Sequence, residues 1–430
     1  MTGRGRYPEA LAYILGLDLL GMRFGLERMR RLLAALGDPH RAYPCVQVVG
    51  TNGKTSTARM CAAVLAAHGD RTGTYLSPHV VDWRERIEVD GAALAPERFA
   101  DAVLSVRDAA ATLGGGPDDA VTQFEVLTAA AYLAFAREGC AAAAIEAGLG
   151  GRWDATNVVD GGRVTVLTNV AVEHTHLLGD TVAAIAGEKL AVAPDGSHRL
   201  VVGRLDDAAR DAVEGVAAAR GLSGWWLGRD FDAREGPAGL DVTLPGERID
   251  GLRLAVRGGF QRDNAATAVA AARRFRDAPL DPGAVRDAAA AVRVPGRLEV
   301  IPGAPRTVLD GAHNPAGMEA LVRALPDVAT APVVAVVSLL DDKDAGAMLA
   351  ALAPAVDAVV TTRSRHARAR DAHDVAAAAR AHGAPAAVEP DPRRAIAVAR
   401  TAAGEGGTVL VCGSLYLLAD VRDGLVAGTL

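Results

Sequence analysis

Short runs of β-branched and small apolar residues recur along the chain, each closing on glycine or polar residues and followed by apolar positions at helical spacing. Apolar positions at 8–20 and 26–36 predict two helices, with Gly21, Met22, Arg23, Phe24 and Gly25 as the break between them. The run 46–49 predicts a strand that stops at Gly50, and helix-forming sequence resumes over 58–67. Strands follow at 72–76, 140–145 and 164–167, with helices at 96–113 and 125–137, and a polar turn region at 83–91. From about 200 to 260 the pattern predicts shorter β-like pieces joined by glycine-rich turns. Helices return at 261–275 and 282–292, and 294–297 (Val-Pro-Gly-Arg) reads as a linker. Beyond it strands at 307–309, 333–337, 358–362 and 409–412 alternate with helices at 315–325, 346–352, 374–382 and 393–403. Strands alternating with helices predict an α/β protein with a mostly parallel sheet, whose site lies at the carboxyl edge of the strands.

At 430 residues the chain is long for one core, so two domains are expected, residues 1–295 and a smaller doubly wound domain at 296–430. The net charge of −6 argues against a dedicated nucleic-acid or anionic-membrane surface. No apolar run approaches the roughly 18 residues needed to cross a bilayer, and the first eight residues lack a signal-peptide core. Cys45, Cys61, Cys140 and Cys412 are scattered with no C-x-x-C pair, which reads as reduced thiols in a cytoplasmic protein.

The stretch after the 46–49 strand changes the picture most. Gly50, Thr51, Asn52, Gly53, Lys54, Thr55 and Ser56 form a strand–loop–helix turn. In such a turn backbone N–H groups point into one concavity and the helix N-terminus adds partial positive charge. The two glycines let the backbone approach phosphate oxygens, Lys54 reaches the β/γ-phosphates, and Thr55 or Ser56 faces a metal. The glycine spacing is two residues shorter than the commonest P-loop pattern, but the order of strand, lysine, hydroxyls and helix predicts nucleoside triphosphate binding.

Ser77, Glu146 and His174 each follow a predicted strand on the same sheet edge. Taken singly they read as a turn serine, an arginine partner and a solvated loop histidine. Together beside a triphosphate they make an oxygen-and-nitrogen shell of the kind Mg²⁺ accepts. Zinc at His174 and His176 is the alternative, without a cysteine to support it. Lys189, preceded by Glu188, reads on its own as an exposed helix lysine.

Gly50-Thr51-Asn52-Gly53-Lys54, Ser77-Pro78-His79, Glu85-Arg86-Ile87, Glu146-x-Gly148-Leu149-Gly150-Gly151-Arg152 and Asp154-Ala155-Thr156-Asn157 resemble motifs of the folylpolyglutamate synthase/dihydrofolate synthase family of the Mur ligase superfamily. So do His174 with Leu178-Gly179, Glu188-Lys189, the run from Leu309 through Asp310 and His313 to Pro315, and Gly413-Ser414-Leu415-Tyr416. The resemblance covers residues 25–416. It implies an ATP-dependent ligase that makes an acyl phosphate and couples it to L-glutamate, acting on dihydropteroate, on folate polyglutamates, or on both. It implies two Mg²⁺ sites, one held by Ser77 and Glu146 and one by Glu146, His174 and a carbamylated Lys189. Asn264, Arg297 and Asp310 would contact adenosine, with His313 near the reacting phosphate, and closure of the two domains would exclude water. The pteridine-bearing substrate would meet Gly21, Met22, Arg23, Phe24, Thr122, Gln123, Phe124, Glu125, Trp153 and Asp154. The resemblance also implies a monomer.

Two departures stand out. Thr55 occupies a position where the family usually has glycine, and Gly53-Lys54-Thr55 is more like the peptidoglycan Mur ligases; Glu173 and His176 replace positions often held by aspartate. A peptidoglycan-type ligase acting on a UDP-linked muropeptide is therefore the runner-up, but the 49 residues ahead of Gly50 are short for its extra N-terminal domain. A P-loop switch without ligase chemistry accounts for the loop but not for Glu146, Lys189 and the 310–315 element together.

Overall fold

The computed structural model describes residues 5–17, 25–114, 119–159 and 163–430. Gly21, Met22, Arg23 and Phe24, expected at the substrate, lie outside the described residues. Contacts divide the chain into two compact units. The first holds Met1–His79, Trp83–Ala255 and Arg262–Val292; the second holds Val80–Asp82, Val256–Gln261 and Arg293–Leu430.

In the first unit the elements run α1 (Arg6–Leu15), α2 (Glu27–Ala35), β1 (Cys45–Val49), α3 (Lys54–Ala67), β2 (Thr72–Tyr75), β3 (Ile87–Val89), β4 (Ala92–Ala93), α4 (Pro96–Ala111) and α5 (Gln123–Arg137). They continue as β5 (Ala142–Glu146), β6 (Val164–Leu167), α6 (Thr175–Leu178), α7 (Val182–Leu190), β7 (Leu200–Val202), α8 (Asp207–Ala219) and β8 (Gly224–Trp226). A meander of β9 (Asp232–Gly236), β10 (Gly239–Leu244) and β11 (Glu247–Leu252) follows, then α9 (Phe260–Arg276) and α10 (Pro282–Ala291).

The main sheet has the order β4-β3-β2-β5-β1-β6-β7-β8, and its strands β2, β5, β1, β6, β7 and β8 are parallel. Strands β1 and β5 are buried at every position, as expected of parallel strands covered on both faces. Cys45, Tyr75, Ala143 and Ile145 join one core with side chains of α1, α2, α4 and α5. Val49, Leu167, Leu200 and Val202 join another with α7 and α8. The mutual order of β2, β5, β1 and β6 is what matters for chemistry, because it brings the ends of four parallel strands side by side.

The expectation of only β-like pieces over 200–260 is corrected by α8, a helix of 13 residues. Asp206 caps it by accepting the Ala209 N–H, and Ala209, Val213 and Ala217 form its buried stripe. The four-residue spacing of Ala209, Val213 and Ala217 is present in the sequence, between glycine-rich flanks.

The second unit runs β12 (Glu299–Ile301), β13 (Arg306–Leu309), α11 (Pro315–Ala324), β14 (Val333–Val337), α12 (Ala345–Leu352), β15 (Ala358–Thr361) and α13 (Ala372–Ala381). It ends with β16 (Ala386–Val388), α14 (Pro392–Ala403), β17 (Thr408–Cys412) and α15 (Leu415–Val426). The sheet order is β12-β13-β17-β14-β15-β16, parallel except for β12. Successive residues of its strands face opposite helix layers. Val308, Ala335, Val337, Leu410 and Cys412 pack with α11, α12 and α13. Leu309, Val334, Val336, Val409 and Val411 pack with α14 and α15. This is a doubly wound α/β unit, and the reversal of strand order between β17 and β14 opens a crevice at their carboxyl ends.

Candidate nucleotide and metal site

The loop between β1 and α3 is clasped by the exit of β6. The Thr51 N–H donates to the Asn169 carbonyl at 3.1 Å and the Asn52 N–H to Asn169 Oδ1 at 2.8 Å. Thr168 Oγ1 donates to the Asn52 carbonyl at 2.6 Å, and the Ala171 N–H donates to Thr51 Oγ1 at 3.1 Å. Gly50 has φ +148°, and a Cβ there would meet Thr168 Oγ1 at 1.9 Å. Gly53 has φ +82°, and a Cβ there would meet Asn264 Oδ1 at 2.5 Å. Both glycines are demanded by backbone conformation and by close approach. The second contact also brings Asn264, a predicted adenosine residue, against the loop. Thr168 and Asn169 were not among the predicted site residues; their signal was a polar pair at the end of a strand that neighbours β1.

Lys54 opens α3, and its ammonium donates to the carbonyls of Gly50 at 2.9 Å and Thr51 at 3.0 Å. Lys189 arrives at the same Gly50 carbonyl, at 3.0 Å, from the last turn of α7. Its reading as an exposed helix lysine is corrected: only 1% of its surface is exposed. Glu173 accepts from the Lys189 ammonium at 2.9 Å and is the charged partner that sequence reading missed, since nothing in a separation of 16 residues, with α6 and most of α7 between, announces the pair. Burial pulls the Lys189 ammonium down to about 8, against the opposing pull of Glu173. Burial also pushes the Glu173 carboxyl up, but the charges of Lys189 and Lys54 outweigh it and hold the group at about 2.

Glu146, the last residue of β5, is 2% exposed. Thr55 Oγ1 lies 2.9 and 3.0 Å from its two carboxylate oxygens, and the Ser77 N–H donates to Oε2 at 3.2 Å. Ser77 and Glu146, named above as the first metal pair, are thus brought together through the serine's backbone N–H. His174 stands just before α6 with φ +46°, a backbone conformation that few non-glycine residues adopt, and its ring centroid is 6.4 Å from that of His176. Among the described residues no three His, Cys, Asp or Glu side chains gather as a metal centre. The hydrogen bonds instead form two groups, Thr55–Glu146–Ser77 and Lys54–Lys189–Glu173, joined by the loop. The first offers a carboxylate and hydroxyls, a hard oxygen set that suits Mg²⁺. His79 and Arg86 of the neighbouring motifs also meet, with Arg86 Nε donating to His79 Nδ1 at 2.9 Å.

Three of the four expected substrate residues around 122–125 have their polar atoms engaged in the fold. Thr122 and Glu125 form a capping box at the start of α5. Glu125 also takes Arg28 Nε at 3.0 and 2.9 Å, and Gln123 Nε2 donates to the Ile14 carbonyl at 2.9 Å. Phe124 is half-buried, with its ring over Gly148, where a Cβ would meet it at 2.6 Å. Trp153 is 43% exposed. Asp154 is buried and turned inward: it accepts from the N–H groups of Leu149 and Thr156, both at 2.9 Å, and so locks the turn that follows Glu146. Burial pushes its carboxyl up, with these hydrogen bonds pulling against the shift.

In the second unit Asp310 follows β13 and accepts from the N–H groups of Leu298 and Ala312, both at 2.8 Å. Burial raises its carboxyl, opposed by the nearby Arg297 guanidinium. Arg297 donates to the Gly296 carbonyl at 3.1 Å. His313 Nδ1 lies 2.8 Å from the Gly311 carbonyl, a contact that places a proton on Nδ1.

A clasped phosphate loop on a parallel sheet, followed by a doubly wound unit, defines a nucleotide-binding protein of the Mur ligase class. The Mur ligase middle domain model matches residues 48–272, and the Mur ligase, glutamate ligase domain model matches residues 296–415. The dihydrofolate synthase/folylpolyglutamate synthase of Mycobacterium tuberculosis is 38% identical over 411 residues, 88% of this chain and 84% of that protein. A solved M. tuberculosis folylpolyglutamate synthase complexed with ADP superposes with a TM-score of 0.90 at 32% identity, covering 98% of this chain and 99% of that one. An Escherichia coli relative solved in complex with DHPP and ADP gives 0.88 at 29% identity, covering 99% and 98%. The chain belongs to the dihydrofolate synthase/folylpolyglutamate synthase family.

Proposed function

We propose that this protein is an ATP-dependent ligase that joins L-glutamate to dihydropteroate and to folate polyglutamates. The observation that carries this reading is the convergence of Lys54 and Lys189 on the Gly50 carbonyl, next to a carboxylate held by Thr55 and Ser77. A substrate carboxylate oxygen attacks the γ-phosphorus of ATP, the β–γ P–O bond breaks, and ADP leaves. The glutamate amine then attacks the acyl carbon, loses a proton, and phosphate departs as the amide forms. Such phosphoryl transfer is mainly positioning and charge neutralisation, which Lys54 and the N-terminal turn of α3 would supply. Ser77 and Glu146 would hold one Mg²⁺; Glu146, His174 and Lys189 carrying a carbamate would hold a second. Bound there, the cations would neutralise the charge on the β- and γ-phosphates. Carbamylation of the Lys189 ammonium would release two protons, one to free the amine and one as its nitrogen bonds to CO₂, and would give a buried anionic oxygen in place of the cation.

The test is release of ADP with L-glutamate fixed, comparing dihydropteroate with tetrahydrofolyl-glutamate as acceptor. Turnover that needs glutamate and proceeds with both acceptors is expected. Nucleotide turnover indifferent to glutamate and to both acceptors would overturn the ligase in favour of a nucleotide-binding switch.

A further inference from the structure

Gln47 lies in the middle of β1, the strand that runs into the phosphate loop, and none of its surface is exposed. A buried amide costs free energy unless it is bonded, and an aliphatic side chain in its place would carry no such cost. Gln47 Nε2 donates to Thr156 Oγ1 at 2.9 Å, and Thr156 Oγ1 donates to Asp154 Oδ1 at 2.5 Å. Asp154 in turn accepts the Thr156 N–H at Oδ1 and the Leu149 N–H at Oδ2, both at 2.9 Å. We infer that Gln47 and Thr156 are positioning residues for the pteridine-bearing acceptor: acting through Asp154, they set the turn of residues 148–154 on which Trp153 stands. This inference rests on the ligase reading above, with the acceptor meeting Trp153.

The far end of this chain of hydrogen bonds fixes its direction. A carboxylate accepts, so Thr156 gives its hydroxyl proton to Asp154 and takes its own hydrogen bond from the Gln47 amide nitrogen. Thr156 is held a second time by Tyr132 of α5, whose hydroxyl donates to the Thr156 carbonyl at 3.0 Å. The turn closes on itself where the Asp154 N–H donates to the Gly151 carbonyl at 3.1 Å. It also lies hard against the end of α7, since a Cβ at Gly151 would meet the Glu188 carbonyl at 2.6 Å. Asp154 is 4% exposed while its neighbour Trp153 is 43% exposed, so a buried carboxylate anchors the turn that presents the ring. Without the Thr156 hydroxyl, Asp154 keeps its backbone donors and the turn persists, but its side-chain tie to β1 is gone. Such a loss falls on whatever the ring touches and spares the nucleotide.

The experiment measures glutamate-dependent ADP release, with KM for tetrahydrofolyl-glutamate, KM for ATP and kcat taken separately. Thr156→Val keeps the shape and removes the donor. It is expected to raise KM for the acceptor about tenfold, with KM for ATP within about twofold and kcat within about threefold; Thr156→Ser restores the parent values. Gln47→Leu is expected to raise the acceptor KM about threefold, and the double variant to match Thr156→Val, because the two residues act in series. An unchanged acceptor KM in Thr156→Val overturns the inference, whatever happens to its melting temperature. Equal rises in KM for acceptor and ATP overturn it as well, and so does a Thr156→Ser protein as defective as the valine variant or a double variant whose effects multiply. Should Thr156→Val not fold, Gln47→Leu decides, and an acceptor KM equal to the parent's overturns the inference. If the parent protein shows no acceptor-dependent turnover, the ligase reading fails together with this one, an outcome distinct from a failure confined to the variants.

Discussion

At the carboxyl edge of the first unit's sheet, Lys54, Lys189 and Glu173 meet around a single backbone carbonyl, and Glu146 is held by side-chain and backbone donors nearby. At the corresponding edge of the second unit the polar residues serve the backbone. Asp310 holds two amides, Asn314 caps α11, Ser414 caps α15, and Ser338 Oγ accepts the Ser364 N–H at 3.0 Å. Both edges lie where parallel α/β sheets bind ligands. The difference teaches that a polar residue at a strand end has two uses. Where charges crowd a tight loop it serves chemistry; where it answers a helix or turn amide it shapes the surface on which chemistry occurs.

The contrast is most exposed to substitution of the two lysines. Lys54→Ala and Lys189→Ala should each lower glutamate-dependent ADP release by on the order of 10²–10³-fold with the fold intact by circular dichroism. Short carboxylates such as formate or acetate should restore part of the Lys189→Ala turnover, replacing the missing anionic ligand, and none of the Lys54→Ala turnover. Full activity in Lys189→Ala would remove the second metal position from the scheme. Asp310→Asn should instead cost stability, about 1–3 kcal/mol by urea unfolding of the whole chain, because one of two backbone amides loses its acceptor. An asparagine variant as stable as its parent would mean that this carboxylate is kept for a ligand, and the contrast between the edges would vanish. Ser414→Ala is the mildest change, expected to lower stability by about 1 kcal/mol through loss of the cap on α15. A larger loss of turnover than of stability there would move Ser414 to the chemical side of the comparison.

The strand–loop–helix at Gly50 was legible because each local preference agrees: β-branched residues, then glycines, then helix formers. The order of strands was less so, since β1 pairs with β5 and β6 across long intervening segments. Strand β16 is three residues, Ala386–Val388, and in an alanine-rich chain it has no period to read. Lys189 was misplaced by any single-residue rule because lysines on helices normally face water. Its burial depends on Glu173 and on the Gly50 carbonyl, partners that only the folded chain assembles. The capping box of Thr122 and Glu125 went unread in the sequence, where the same residues served only as candidates for a substrate loop.

The fit of Gly50 beneath Thr168 carries a lesson for divergence and redesign. A methyl group at position 50 would lie 1.9 Å from the threonine hydroxyl, so no library confined to the nucleotide loop can explore that position productively. Changes there must be paired with changes more than a hundred residues downstream, and a lineage that altered one without the other would pass through a chain unable to close its loop.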